Sequence, residues 1–229
     1  MSLPFILRTL ANRPMLTLLR GHTTYSHRVS ALFLLTLSTL LPADLNAADT
    51  TLSADKLFDP EHVVDVQITL AEKDWDTLRR QTRAFALSLK KTPAESPFEY
   101  VKGDVSIDGV MIKNVGIRKK GFLGSLSDTR PSLKIKFDEY QEQAPVQGLD
   151  RLTLNNNQQD RSLASQYLGY RFFNESGTIA CRCNHAKVTV NGRNLGIYSH
   201  VESVKPPFLQ ARYGNASGQF YEGTLADLF

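Results

Sequence analysis

Alternating apolar and polar residues predict the first elements of this chain. Val63–Leu70 alternates and is rich in β-branched residues, which is typical of a strand. Thr69–Glu72 then matches a capping box, in which a Thr hydroxyl and a Glu carboxylate bond the free amides of a helix start. Trp75, Leu78 and Phe85 follow at roughly helical spacing, so we expect a short helix there.

Two further stretches predict β-hairpins. The alternating strands Tyr100–Ile107 and Val110–Arg118 are joined by Asp108-Gly109, and Ala186–Val201 turns at Asn191-Gly192. Asp-Gly and Asn-Gly favour two-residue turns because both turn positions need positive φ. Each stretch is therefore expected to form an antiparallel pair of strands.

The region between the hairpins predicts two strands and a helix. Ser132–Phe137 has a two-residue period, which places its apolar residues on one face and Lys134 and Lys136 on the other. Leu149–Leu154 predicts a short strand, and Asp160 caps the helix that follows it.

The last stretch adds one short helix and one more candidate strand. Pro206-Pro207 opens the helix and Gly214 closes it, while Gln219–Glu222 is the candidate strand. The order of elements predicts an α+β fold, a mostly antiparallel sheet with two main helices, rather than a parallel βαβ array.

The N-terminal segment has the three parts of a secretory signal peptide. Four arginines precede an apolar run, Ala31–Leu41, which is followed by Pro42 and small residues. We therefore expect a signal peptide at 1–47, a flexible linker at 48–57, and export to the periplasm, the cell surface or the medium. The run is shorter than the ~20 apolar residues that span a bilayer, so no transmembrane anchor is expected after cleavage. An uncleaved anchor, a start at Met15 and a mitochondrial transit peptide are the alternatives.

Removal of that segment changes the charge of the chain. The segment holds four Arg and one acid, so the formal net charge falls from +4 to +1. The basic character of the full sequence therefore gives little support for a nucleic-acid partner, and none is expected. The remainder, 58–229, is long enough for a single domain with a core, and its two cysteines exclude a disulfide scaffold.

A glycine-bearing loop between two strands carries the most informative chemistry. Gly116–Ser125 followed by Leu133–Phe137 is strand, loop and strand, with two ammonium groups on one face. Backbone amides of such a loop can hold phosphates, and a strand lysine can reach them. The alternative is a hairpin with a lysine-rich, solvated face.

An ordered series of motifs extends this observation along the chain. Its members are Arg118-x-x-Gly121, Lys134-x-Lys136-Phe137, Leu149-x-x-Leu152-x-Leu154-Asn155-Asn156, Asp160, Gly177, Val190-Asn191-Gly192, Leu195-Gly196-Ile197-Tyr198 and Glu202. In order and spacing this series resembles the CotH kinase family, named for a spore-coat protein. The resemblance runs from about Val64 to Tyr221.

The resemblance implies the N-terminal lobe of an atypical protein-kinase-like fold, which binds ATP with a divalent metal such as Mg²⁺ and phosphorylates Ser or Thr on proteins. Lys134 or Lys136 would contact the α- and β-phosphates, beneath a phosphate-covering loop. The implied nucleotide-binding residues are Arg118, Gly121, Ser125, Lys134, Lys136 and Glu202. The helix after Asp160 offers Gln166, and no acid before Glu175, where a kinase places an acid.

The C-terminal part departs from the family pattern. The family's catalytic and metal-binding acids lie in a further, mostly helical half, and only Glu222 and Asp227 follow Glu202 here. We therefore expect a CotH kinase-like domain truncated at its C-terminus, without catalytic or metal-binding residues and inactive alone. Its partner would be a protein substrate. The alternative is a non-catalytic module that binds an envelope or cell-surface protein.

Three potential metal ligands, Cys181, Cys183 and His185, lie at two-residue spacing. On one strand, Cys181 and His185 would be ~13 Å apart, so one tetrahedral metal cannot easily bind all three. A buried or disulfide-linked cysteine pair is the favoured interpretation.

Overall fold

Seven strands of this chain close into a β-barrel. The computed structural model describes residues 51–84, 96–122 and 125–221. The signal peptide predicted at 1–47 and the predicted helix position Phe85 lie outside these residues. The strands are β1 (Leu52–Ser53), β2 (Val64–Thr69), β3 (Val101–Ile107), β4 (Val110–Lys120), β5 (Ser132–Lys136), β6 (Val146–Gln147), β7 (Arg151–Asn155), β8 (Cys183–Val190) and β9 (Arg193–Val201). The helices are α1 (Ala54–Leu57), α2 (Glu72–Arg80), α3 (Ser165–Glu175) and α4 (Pro206–Tyr213).

The barrel order is β2-β3-β4-β5-β7-β9-β8. Its neighbouring strands pair antiparallel except β2 and β8, which pair in parallel with Val66 opposite Val188. This parallel pair joins the two ends of the sheet, so the sheet has no free edge in the described structure.

The predicted fold class is therefore wrong. The molecule is a closed, mixed β-barrel with few helices among the described residues, not the mostly antiparallel α+β lobe of a kinase-like fold. The error arises because β2 and β8 meet through partners that are 122 residues apart, such as Val64 and Ala186. Alternation defines the faces of a strand, but it does not say which distant strand will pair with it.

The N-terminal boundary of the domain also lies earlier than predicted. Within the expected linker 48–57, Leu52 and Ser53 form β1, which pairs in parallel with β6. Ser53 then caps α1 by accepting a hydrogen bond from the amide of Lys56. Leu57 of α1 is fully buried. Residues 52–57 thus form regular secondary structure, and Leu52, Ala54 and Leu57 join the core, so this segment is not a flexible linker.

Both predicted hairpin turns are confirmed. Asp108 and Gly109 have φ values of 49° and 84°, and Asn191 and Gly192 have φ values of 48° and 77°. Positive φ at both positions matches the twist of the flanking strands. The hairpins β3–β4 and β8–β9 follow from this local chemistry.

The predicted capping box at the start of α2 is wrong. The helix begins at Glu72, and no side chain caps its N-terminus. The side-chain oxygen of Asn191 instead accepts the amide of Leu70, and its Nδ2 donates to the Glu72 carboxylate. The β8–β9 turn therefore bonds the segment between β2 and α2, which draws Glu72 away from a capping role.

The barrel interior is filled by the apolar face of each strand. Each of the seven barrel strands contributes residues that are at most 3% exposed, among them Val66, Ile107, Ile117, Ile135, Leu152, Val188 and Tyr198. Trp75 and Leu78 of α2 pack into the same core. Lys119 also points inward, and its ammonium donates to the carbonyls of Arg79 and Leu126.

Helices α3 and α4 pack on a second, smaller cluster of buried residues. That cluster contains Cys181, Cys183, Val201 and Phe208. Tyr167 and Tyr170 of α3 pack against it, but α3 has no buried residue, and its outer face exposes Leu168, Phe172 and Phe173. The predicted strand at 219–222 is absent, since 219–221 are irregular and 222 is not described.

Within the described residues, no helix combines the length and apolar character needed to cross a bilayer.

Asn184 offers a test of how β8 holds the segment that precedes β2. Its buried Nδ2 lies 2.8–3.0 Å from the carbonyls of Leu57, Asp59 and His62. Asn184→Ala removes this donor from the carbonyls of Leu57 and His62, while the carbonyl of Asp59 keeps the amide of His62, so the free energy of unfolding should fall by about 1–3 kcal/mol in urea titrations. Lys187→Ala on the same strand, with its side chain 53% exposed, is the control. Equal unfolding midpoints for the two variants would contradict this role.

His200 offers a test by pH. Its ring is buried and stacks on Phe58 with centroids 4.4 Å apart. Burial and the positive charge of Arg182 lower the pKa of His200 to about 3. Between pH 6.5 and 3 the unfolded chain therefore binds the extra proton, so unfolding free energy should fall by about 1.4 kcal/mol per pH unit as pH drops.

Denaturant titrations at several pH values check this expectation. His200→Phe keeps the stacked ring and removes the titrating group, so its stability should depend less on pH. His62→Gln, at an imidazole whose side chain is 43% exposed, is the matched control. If His200→Phe and the parent lose stability in parallel, another group accounts for the acid sensitivity.

Candidate functional site

The outer surface of β4, β5 and β7 carries a row of cations. Arg118 of β4 lies opposite Lys134 of β5, which lies opposite Thr153 of β7. Leu133 and Ile135, on either side of Lys134, are fully buried in the barrel. Because successive side chains of a strand alternate between faces, Lys134 projects from the outer surface. Three neighbouring strands thus build one face. We use the name cationic row for five cations, namely Lys134 and the four whose charges act on it: Arg118, Lys120, Arg151 and Lys205.

Lys134 lies at the centre of the cationic row. Among the residues that the structure describes, it has no hydrogen bond and no ion pair. Burial, and then the positive charges of Arg118, Lys120, Arg151 and Lys205, together lower its pKa to about 8. A partly buried amine among like charges is stabilised by a bound anion, which supplies the missing opposite charge.

Lys136 differs from Lys134 although both lie on the same face of β5. Its ammonium lies 2.9 Å from Oε2 of Glu139 and 3.7 Å from Oδ1 of Asp138. The hydrogen bond that Lys136 donates to Glu139 raises the pKa of Lys136. The charge of Lys136 is thus already compensated by Glu139. Of the two predicted lysines, Lys134 is therefore the better placed to bind an anion.

Arg118 is held at the edge of the row by the segment before β3. Its Nη1 lies 3.0 Å from Oγ of Ser96, and its guanidinium lies 5.0 Å from the centre of the Tyr100 ring. The ring face and the hydroxyl orient the guanidinium without neutralising it. Arg118 therefore keeps its charge at the cationic row.

Gly121 and Ser125 form a tight turn directly after β4. Gly121 has φ 134°, and a Cβ there would lie 2.4 Å from Oγ of Ser125. That hydroxyl accepts the amide of Phe122 at 2.9 Å. Asn156 follows directly after β7, and its Nδ2 donates to the carbonyls of Ser125 and Arg130. These hydrogen bonds connect the end of β7 to the segment after β4. In this structure the Ser125 hydroxyl bonds the loop backbone itself; residues 123–124 of the loop are not described.

Sequence reasoning missed Lys120, which belongs to the row. Its ammonium donates to Oδ1 of Asn155, and Nδ2 of Asn155 donates to Oε1 of Gln166 at 2.9 Å. Burial, and then the charge of Arg118, lowers the pKa of Lys120 to about 8. The signal was present: β4 extends two residues beyond the predicted end at Arg118, and alternation places Lys120 on the same face.

Glu202 is not brought to the cationic row. It is 3% exposed, with one carboxylate oxygen 2.8 Å from Nη2 of Arg182 and the other 3.2 Å from Nη2 of Arg212. The backbone amide of Arg182 also donates to it. Both oxygens are thus occupied by arginines that line a separate groove of about 450 Å³, together with Phe58, Pro60, Tyr167, Arg171, Asn174, Glu175 and Cys183.

The predicted cysteine and histidine candidates do not form a metal site. Cys181 and Cys183 are free and buried, and burial raises the pKa of Cys183 to about 12. The imidazole of His185 lies 2.8 Å from the carbonyl of Leu163. Within the described ranges, no group of three or more His, Cys, Asp or Glu side chains is placed to hold a metal ion.

The cationic row has the chemistry of an anion site. Lysines act as mobile point charges and arginine as a planar donor, and both bind phosphate oxygens. The hydroxyls of Thr153 and Ser203, 2.8 Å apart, lie on β7 and just after β9. Thr153 lies directly opposite Lys134 and adds a neutral donor beside the charges.

A comparison with protein families finds a match over the part of the chain that contains the cationic row. The model of the CotH kinase protein family matches residues 117–228, a stretch that contains all six predicted site residues. The match does not extend to β2 and β3, which lie within the range Val64 to Tyr221 expected for the resemblance. No curated protein matches the chain. Over residues 117–228, this chain is thus similar to the CotH kinase protein family.

Proposed function

We propose that this chain is an exported CotH-family protein that binds the phosphate groups of ATP at the cationic row, and that the activity it serves is phosphorylation of Ser or Thr in a protein. The observation that carries the proposal is Lys134, a partly buried ammonium with four cations around it and no partner among the described residues. The family match supports the choice of a nucleotide over other anions.

The residues of the row would divide the work of phosphate binding. Lys134 and Lys120 supply charge from neighbouring strands, and Arg118 supplies a fixed planar donor at one edge. Gly121 permits the tight turn after β4. Lys136 acts indirectly, since Glu139 already binds it. Glu202 supports the fold beside the groove instead of contacting the nucleotide.

Mg²⁺ is part of the proposal through the family resemblance alone. When bound with ATP it would neutralise phosphate charge. The described residues contain no cluster of metal-ligating side chains. They do fit the phosphate part of the ligand, because the donor set of the row is cationic and hydroxylic.

Export is the second part of the proposal. It is supported by the arginine-containing start, the apolar run Ala31–Leu41 and the small residues that follow it. Mass spectrometry of the secreted or periplasmic protein tests it, since cleavage after Ala47 or Ala48 predicts a defined new N-terminus.

Substitution of the two β5 lysines tests the site. Lys134→Ala should weaken ATP binding at pH 7 by about tenfold or more, because it removes the central uncompensated charge. Lys136→Ala should change the affinity by less than about threefold, because Glu139 already neutralises that lysine. Isothermal titration calorimetry with ATP and Mg²⁺ measures both. Unchanged affinity in the double variant would refute the assignment of the site.

The exposed face of α3 favours a second candidate, a non-catalytic envelope-binding module. Leu168 and Phe172 lie one turn apart and are 58% and 68% exposed, with Phe173 beside them at 51%. Exposed apolar patches mark interaction surfaces. Under this candidate, Phe172→Asp would abolish binding to purified cell envelopes and Lys134→Ala would not. The reverse pattern would favour the nucleotide site.

A further inference from the structure

We propose that Asn155 and Gln166 are positioning residues, which hold Lys120 beside Lys134 as a second phosphate-binding lysine. The inference rests on the proposed function and deepens it. It assigns a role to the polar start of α3, where Gln166 stands in place of an acid, and it names a ligand class: an anion with at least two linked phosphates.

The orientation of the Asn155 side chain is determined by its two neighbours. Nδ2 of Asn155 donates to Oε1 of Gln166 at 2.9 Å, so Oδ1 is the atom that faces the ammonium of Lys120. An ammonium has donors only, and it needs the oxygen end of the amide. If the Gln166 contact were lost, the Asn155 amide could turn its NH₂ group toward Lys120.

The start of α3 is itself fixed. Oδ2 of Asp160 accepts the backbone amide of Ser165 at 2.7 Å, and Oδ1 accepts the amide of Ser162 at 3.0 Å. The hydrogen bond from the Ser162 hydroxyl, and then these backbone amides, lower the pKa of Asp160 to about 2, so it stays ionised at neutral pH. Because Gln166 is the second residue of the helix, Asp160 fixes the position from which Gln166 reaches Asn155.

A neutral partner leaves the charge of Lys120 available. The comparison within this chain is Lys136, whose partner Glu139 is a carboxylate that compensates it. Lys120 instead bonds an amide oxygen, which orients the ammonium without cancelling its charge. The charged groups that face it are Arg118 and Lys134, both positive. The row therefore offers two uncompensated lysines on adjacent strands, of which Lys120 is oriented by an amide and neither is paired with a carboxylate among the described residues.

Two lysines on adjacent strands suit two linked phosphates. Lys120 lies opposite Ser132, so Lys120 and Lys134 are diagonal neighbours, ≈ 7–8 Å apart at the backbone, and their side chains can close or widen that spacing at their ends. A single phosphate would leave one of the two ammonium groups uncompensated. Inorganic triphosphate should therefore bind the site more tightly than inorganic phosphate, with or without the adenosine part of a nucleotide.

The decisive variant is Asn155→Asp, which preserves shape and places a carboxylate against Lys120. We expect about tenfold weaker binding of ATP and of inorganic triphosphate at pH 7, measured by calorimetry. The carboxylate also raises the pKa of Lys120, so the loss of affinity that accompanies lysine deprotonation should move to higher pH than in the parent. A purely structural role of Asn155 would not shift that pH profile.

Gln166 provides a matched pair of variants. Gln166→Ala removes the acceptor for Asn155 and should weaken triphosphate binding about threefold or more. Gln166→Glu keeps an oxygen at the same position and should retain parent affinity within about twofold. Gln67→Ala, at an exposed position of β2, is the control for a general loss of a glutamine. Thermal melting of each variant shows whether it is folded; if Asn155→Asp is not, the Gln166 pair decides.

The outcomes separate this inference from the function on which it rests. If Asn155→Asp and Gln166→Ala bind triphosphate as the parent does while Lys134→Ala does not, the positioning role is wrong and the nucleotide site stands. The ligand class is wrong if inorganic phosphate binds as tightly as triphosphate. If the folded parent binds neither ATP nor triphosphate, the proposed function fails, and this inference fails with it.

Discussion

The parallel pairing of β2 with β8 closes the barrel, and the positions of all other elements depend on it. It joins the two ends of a sheet whose other neighbours are antiparallel. Polar side chains secure both ends of this seam. Asn184 bonds the carbonyls of the segment that leads into β2, and Asn191 bonds the segment that leaves it. Each asparagine satisfies backbone groups that would otherwise be unpaired near the core.

Closure gives the candidate site a rigid base. The apolar faces of β4, β5 and β7 are committed to the barrel interior, so their other faces must carry polar residues outward. Lys134 consequently sits between Arg118 and Thr153 in a fixed register. Like charges held together in this way lower the stability of the folded chain unless an anion is present. The row is more readily explained by binding than by folding.

Local features of the fold could be predicted from the sequence. Both hairpins followed from Asp108-Gly109 and Asn191-Gly192, because a two-residue turn with positive φ depends on neighbouring residues alone. The inward and outward faces of β5 followed from alternation, and the helix between Pro206 and Gly214 followed from the residues at its two ends. The motif series also identified the CotH family, which the family match confirms over residues 117–228.

Long-range features could not be predicted in this way. Barrel closure, and the partner of Glu72 across the β8–β9 turn, each join segments more than 100 residues apart. Glu202 was placed near the nucleotide by analogy, whereas it binds Arg182 and Arg212. Lys120 was overlooked because β4 was ended too early. For the barrel, Glu72 and Glu202 the deciding contact lies outside the local pattern of the strand or helix concerned, whereas alternation along β4 was enough to find Lys120.

The wide separation of β2 and β8 in the sequence has a consequence for biogenesis. Contacts between distant residues carry a high loop-closure cost and make folding slow. Val64 pairs with Ala186, and β8 reaches β7 only through β9, so the barrel cannot close on the ribosome until β9 has emerged. Until then β2 has only β3 to pair with. The barrel can therefore be completed only after nearly all of the described residues have been synthesised.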